Sequence, residues 1–531
     1  MLMPAMGLFE DPSRHFRAAF FERHDVKAVA NFSNLAEVLF AGRSRVPAAA
    51  FFYRHRQDGS EVQDDARIGV YSPLVANQEA TRPTAKGKRN DTWSLVLNAS
   101  ELRSVRTVDA ATGSGLPWKL AAWGSEFDRK LLLKLQRNLP SLGELEDSDR
   151  LLISEGLQLR RAPTKGEATE DLELVDGIEV GQTIEMDRMR EMGRAFAFPS
   201  NAIVAIDPGL THGRKGRIEL PLAVCRAPHI IVSAARNFAI YTEQYLVVPA
   251  RQIAIVSPTD DRPSLKALAL YLSSDFAFYH QFFTSSQFGV QRGRATLRAL
   301  RSIPCPLDRC SPRDLAEWSD LHDRIVEAAK LRMAAARDVE APLFEPARRK
   351  DGLAGLLTEL NARTTDLLGL SEREGALVAD FVGVRYALND GKLGTVAVCR
   401  PTSAQLKAYA KRLKSELDAF VEGLLPKRHE VGIVFDDLSG MVSIDLAKPS
   451  AGPLIVVKAG SDAARELERA RHRLQQQRSQ WVYFNRDLRI FEGTRTYLFK
   501  PMQRFHWTES QAMIDAAEVI SATLASGGER L

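Results

Sequence analysis

Between residues 228 and 258 the chain carries three short apolar runs in succession, "PHIIVSAA", "AIYTEQYLVV" and "RQIAIVSP", with turn residues between them. Short runs rich in Ile, Val and Tyr form strands, because branched and aromatic side chains suit a pleated, half-buried surface. Residues 265–283 then change period. Their apolar positions recur at helical spacing, and Phe276, Tyr279 and Phe283 share one face, which assigns them to a core. From about residue 118 to 306 the pattern is mostly short strands with a few helices.

The opening alternates differently. Residues 2–9 read as a strand, 12–24 as a helix, 26–32 as a second strand and 35–40 as a short helix, an α/β unit in mid-stride. Strands of a parallel sheet need neighbours on both sides, so such a unit is expected to continue a larger sheet. Residues 57–92 are polar and broken and read as a surface excursion. Ser311-Pro312 starts a long helix to about residue 339, with proline where its missing N–H costs nothing. "APLFEPARRKDG" reads as a linker. Beyond it, Ser371/Glu374, Thr402/Gln405 and Thr508/Gln511 carry the capping-box spacing that opens helices. Strand-like "HEVGIVFDD", "MVSIDLA" and "PLIVVKA" lie between those helices, so the last third reads as a small α+β domain.

A chain of 531 residues with 45% hydrophobic and 26% charged residues builds cores, in about two to four domains. No apolar run reaches membrane-spanning length, and no apolar stretch near the start suits a signal peptide. The cytoplasm is the expected location, with no membrane partner. Cys225, Cys305, Cys310 and Cys399 form no C-x-x-C pair, against a zinc ribbon or disulfide framework. The net charge of +5 does not announce a polyanion partner, but its distribution is uneven. From Gln287 to Arg309 there are five arginines, Arg292, Arg294, Arg298, Arg301 and Arg309, against one carboxylate, Asp308.

That basic run lies in "YLSSDFAFYHQFFTSSQFGVQRGRATLRALRSIPCPL", residues 271–307. An aromatic helix ends in a turn with Gly289 and Gly293, which permit close backbone approach to a partner. A short helix follows and leaves through Pro304-Cys305-Pro306. Arginine and glutamine can pair bidentately with guanine and adenine edges, and further arginines can hold phosphates. Gln287, Gln291, Arg292, Arg294, Arg298 and Arg301 are therefore the candidate DNA-binding residues. The competing reading is an exposed basic turn between core helices.

This layout resembles the target-recognition domain of adenine-N6 DNA methyltransferases of the restriction-modification type. "WKLAAWGSEFDRKLLLKL" looks like the family's linker into that domain, and "CRAPHIIVSAARN" is similar to one of its strands. "LMPAMGLF", "FRAAFFERHDVKAVANFSNLAEVLF" and "VPAAAFFYRHR" resemble the elements that follow its catalytic motif, so the resemblance covers roughly residues 1–310. It implies a mixed α/β and α+β chain. Residues 1–60 would be a partial, Rossmann-like methyltransferase edge, 61–117 an insert and linker, and 118–310 a strand-rich target-recognition domain. Residues 311–350 would form the long helix and linker, and 351–531 a C-terminal helical/α+β domain.

Such an enzyme needs a glycine-rich turn for S-adenosylmethionine and an (Asn/Asp/Ser)-Pro-Pro-aromatic loop for the flipped adenine. The chain has no Pro-Pro dipeptide, and the resemblance begins just after that loop. No catalytic, cofactor-binding or metal residue is therefore assigned. The resemblance implies a specificity portion that binds double-stranded DNA and is inactive alone. S-adenosylmethionine would be bound by a missing segment or by a partner methyltransferase subunit. The other reading is a non-catalytic scaffold that contacts further proteins of a bacterial defence complex.

Two further motifs are decoys. "TVDAATGSGLPW", with Asp109, Gly113 and Gly115, resembles a cofactor turn and would suit a permuted enzyme, but reads as a glycine hinge. "DDLSGMVSIDLAK" places Asp437, Asp445 and Lys448 near a nuclease pattern, yet two residues separate Asp445 from Lys448 and turn the lysine away. His429 and His506 have no ligand-spaced partners. The stretch from Trp481 to Trp507 interleaves aromatic and basic residues and reads as a hairpin with one aromatic face, or as a stacking surface for nucleic acid.

Overall fold

A computed structural model of the chain describes residues 1–35, 46–56, 63–73, 76–79, 92–95, 102–163, 171–178, 181–286, 288–290, 293–337, 352–390, 395–437, 439–447, 454–458, 488–492 and 495–525. It is a mixed α/β protein with several sheets that divides into two compact units. One unit joins residues 1–129 to 372–531; the other is residues 130–371.

In the first unit, Leu2–Pro4, Ala48–His55, His24–Asn31, Arg67–Tyr71 and Leu102–Arg106 lie side by side in that order. Only His24–Asn31 and Arg67–Tyr71 run parallel; the other pairs are antiparallel. This differs from the parallel arrangement implied by the opening alternation. The burial explains it: Val29 and Phe51 are buried while Phe52 and Tyr53 are exposed. A sheet with a solvated face is the kind antiparallel pairing tolerates and parallel sheets avoid. The surface excursion is also corrected at residues 67–71, which form an interior strand with Ile68 and Val70 buried. Of the helix expected at 35–40, only the short turn Ser33–Leu35 lies within the described residues.

Helix Arg14–Arg23 buries Phe20 and Phe21, and Phe21 stacks on Trp118 with ring centroids 4.8 Å apart. A second five-stranded sheet has the order Ile455–Lys458, Arg428–Phe435, Ser439–Ala447, Arg495–Pro501, Leu488–Glu492. Along its middle strand Gly440, Val442 and Ile444 are buried in alternation, as period-two patterning requires. Val442 and Ile444 share a core with Leu406, Tyr409 and Leu413 of helix Ser403–Val421, with Ala512 and Ala516 of helix Glu509–Ala525, and with Trp507 just before it. The capping box at Thr402/Gln405 is complete, and at Thr508 the hydroxyl accepts from Gln511 N at 3.1 Å.

The second unit is built on the three apolar runs. Ala239–Thr242, His229–Val232, Ile253–Val256 and Leu152–Glu155 form an antiparallel sheet in that order. Residues 265–283 are two helices instead of one, Arg262–Leu272 and Asp275–Thr284. The break falls at Ser273-Ser274, where the Ser274 side chain accepts from Ala277 N and starts the second helix. Phe276, Tyr279 and Phe283 are buried as expected. The long helix runs Pro312–Arg337.

Candidate nucleic-acid interface

The hairpin between His229–Val232 and Ala239–Thr242 turns through Ser233-Ala234-Ala235-Arg236-Asn237. Arg236 adopts φ +58, a left-handed conformation rare for a long side chain and costly by about 1–3 kcal/mol. Its guanidinium fixes that geometry. It donates to Ser233 O at 2.8 Å, Gln281 Oε1 at 3.1 Å and Thr296 O at 3.0 Å. Burial pushes the group down to about 9, partly offset by Glu155, so it stays a cation at neutral pH. A buried cation held by neutral acceptors is expensive and persists where other contacts over-determine it.

Those contacts fasten the stem of the arginine loop. Thr296 N donates to Ser285 Oγ at 2.9 Å, and Ala295 N donates to Ala234 O at 2.8 Å. Thr296 also caps the short helix Leu297–Arg301 by accepting from Ala299 N. Inside the loop, Phe288 is buried against Phe278 and Phe282. Gly289 has φ +77, and a Cβ there would lie 2.2 Å from the Phe282 ring. Gly293, by contrast, is exposed with open space around it. Among its described residues the loop is thus pinned at its base, packed at Phe288 and Val290, and exposed at Gly293.

Of the six candidates, Gln287, Gln291 and Arg292 lie outside the described residues. Arg294 is half-buried and Arg298 is exposed, one on each side of the Thr296 cap. Arg301 has a different role. It makes a bidentate pair with Glu146, Nε–Oε2 2.6 Å and Nη2–Oε1 2.8 Å, and also donates to Ile153 O. Such a fork tie fixes geometry and occupies the donors a phosphate would need.

Two residues absent from the candidates belong to the same place. Arg236 is one. The other is Arg194, which pairs with Asp275 at 2.9 Å and bonds Ser273 O. Its neighbours reach the hairpin turn, since Ala195 N donates to Asn237 O and Asn237 Nδ2 donates to Gly193 O, both at 3.0 Å. No local pattern marks either arginine, because their significance depends on partners roughly 40–80 positions away along the chain.

The decoys resolve differently. Gly113 has φ +73, and Cβ atoms at Gly113 and Gly115 would lie 2.5 Å from Arg14 O and Phe9 O. The buried Arg17 donates twice to Gly113 O and also to Gly7 O and Glu10 O. The chain's own backbone fills this turn, so its residues do not fit S-adenosylmethionine, and it is a packed junction instead of a hinge. Asp437, in the bend before strand Ser439–Ala447, pairs with Arg400 and Lys458, and Asp445, toward that strand's other end, pairs with Arg495; Lys448 lies outside the described residues. Among the described residues no cluster of three His, Cys, Asp or Glu could hold a metal. His429 contacts Asp418, and His506 is buried beside Phe505. Trp481, Tyr483, Phe484 and Arg486 of the aromatic-basic stretch lie outside the described residues. Lys500 there is buried against Asp515, Tyr409 and Trp507.

No protein-family model matches the chain, and no curated protein matches it. Among solved structures it is similar to the type IIG restriction endonuclease BpuSI, with TM-score 0.26 and 11% identity, over 74% of this chain and 47% of that one. The chain therefore spans about half the length of that enzyme, and a likeness this weak carries no weight for function. No helix among the described residues is long and apolar enough to cross a membrane.

Proposed function

We propose that the chain binds double-stranded DNA through the loop of residues 285–301, as the specificity portion of an adenine-N6 DNA methyltransferase of a restriction-modification or phage-defence system. One observation carries the DNA reading: a basic, glycine-containing loop is pinned at its stem by a buried arginine. Arg294 and Arg298 then flank a helix start at its base. A pinned stem suits recognition, because the scaffold orders the flanking contact residues before a partner arrives. The methyltransferase assignment rests on the sequence resemblance. In it, S-adenosylmethionine and the target adenine are held by a partner subunit or another segment, and this chain supplies the DNA register.

A scaffold in a defence complex is the second reading, favoured by the internal engagement of Arg301 and Arg194 with carboxylates. Binding of labelled duplex at two salt concentrations separates the two. Phosphate contacts predict affinity that falls steeply with salt, whereas a scaffold predicts no duplex binding at either concentration.

A further inference from the structure

Within the first unit, a cavity of about 30 Å³ is lined by Ser72, Arg103, Trp123, Arg385, Phe505 and Gln511, with four small or apolar neighbours. Among the described residues its wall carries two guanidinium groups and no carboxylate. Arg385 donates to Gln511 Oε1 at 2.9 Å and to Trp123 O at 3.4 Å, while its Nε is buried and meets no acceptor. The Ser72 hydroxyl is likewise buried, with the residue 2% exposed, and meets no partner. Buried donors of this kind are normally satisfied, and leaving them without an acceptor costs more than an average hydrogen bond returns.

The network behind Arg385 holds it in place. Gln511 Nε2 donates to Asp515 Oδ1 at 2.9 Å, and Asp515 is bound in turn by Tyr409 and by Lys500. Arg103 is tied to Glu518 at 3.7 Å and keeps 18% of its side-chain exposure, which marks the open side. Its charge opposes that of Arg385, while Asp128, Asp380 and Asp515 support it from outside the cavity wall. The residues that carry the two like charges and the two orphan donors line one space, larger than one water needs.

We infer that this cavity is a binding site for a small oxyanion, a carboxylate or phosphate group, gripped by Arg385 Nε, the Ser72 hydroxyl and Arg103. An anion here would satisfy both orphan donors and relieve the repulsion between the arginines. Nothing in the argument depends on the DNA-binding loop, which lies in the other unit.

The test is a thermal-unfolding titration of the full chain with sodium acetate and, separately, inorganic phosphate, at constant ionic strength balanced with sodium chloride. A saturable rise in Tm is expected with at least one oxyanion. Response to acetate alone assigns the site to carboxylates, and to phosphate alone assigns it to phosphates. Ser72→Ala should raise the half-saturation point about tenfold, the loss of one hydrogen bond to a charged group, and Arg103→Gln should raise it independently. If chloride alone reproduces the effect, or if both variants titrate like the parent, the cavity holds only hydration water or an adventitious ion and the assignment fails.

Discussion

The Arg236 guanidinium donates to the main-chain oxygen of Thr296 across 3.0 Å, joining positions 60 residues apart. Thr296 is the cap of the short basic helix, so this one bond couples the strained hairpin turn to the orientation of Arg298. Replacing Arg236 with alanine should destabilise the second unit by about 2–4 kcal/mol, because three acceptors lose their donor and the left-handed turn keeps its strain. Arg236→Lys should recover little, since an ammonium cannot reproduce the fork. Urea denaturation of both variants provides the comparison.

Arg298→Ala and Arg294→Ala should each weaken duplex binding about five- to tenfold and lower the salt slope by about one. Arg301→Ala should behave oppositely, lowering stability by about 1 kcal/mol with little change in the salt slope, because its partner is Glu146. Fluorescence anisotropy across a salt series reads both quantities. A loss of salt slope in Arg301→Ala alone would overturn the division of roles.

Alanine at Gly113 or Gly115 should destabilise the first unit by roughly 2 kcal/mol or more, since each Cβ would meet a main-chain oxygen. Equilibrium dialysis of the parent chain with labelled S-adenosylmethionine should show no saturable binding. Binding that disappears in a folded Gly113→Ala variant would restore the cofactor reading of that turn.

Burial pushes His280 down to about 3, far below an exposed imidazole. Its folded value is depressed, so below about pH 6.5 the unfolded chain binds a proton the native state refuses. The stability contribution is present above pH 6.5 and is lost as pH falls toward 3, at up to about 1.4 kcal/mol per pH unit. His229, shifted in the same direction by burial, adds to the slope. Urea midpoints between pH 7 and 4.5 should fall in the parent and fall less in His280→Asn.

Lys500 and Asp515 form a buried ion pair that Tyr409 joins through its hydroxyl, 2.5 Å from Asp515. Lys500→Met alone should cost about 3–5 kcal/mol by leaving a buried carboxylate unpaired, and the double variant with Asp515→Asn should recover part of it. Additive losses measured by chemical denaturation would show that the two do not act as a pair.

Local pattern sufficed wherever the deciding interaction was local. The apolar runs at 228–258 became strands, Thr402 and Gln405 closed a capping box, and the helical spacing of Phe276, Tyr279 and Phe283 put them in a core. In each case the controlling period or hydrogen bond spans a few residues, so the sequence by itself determines it. Tertiary structure decided the rest. It made residues 67–71 an interior strand, turned an expected glycine hinge into a packed backbone junction and tied Arg301 to Glu146, 155 residues away. Strand neighbours, close backbone approaches and ion pairs are set by which distant segments meet, and no spacing along the chain encodes that meeting. For that reason arginines that look alike in sequence divide between the hairpin clamp, the internal tie and the exposed helix start.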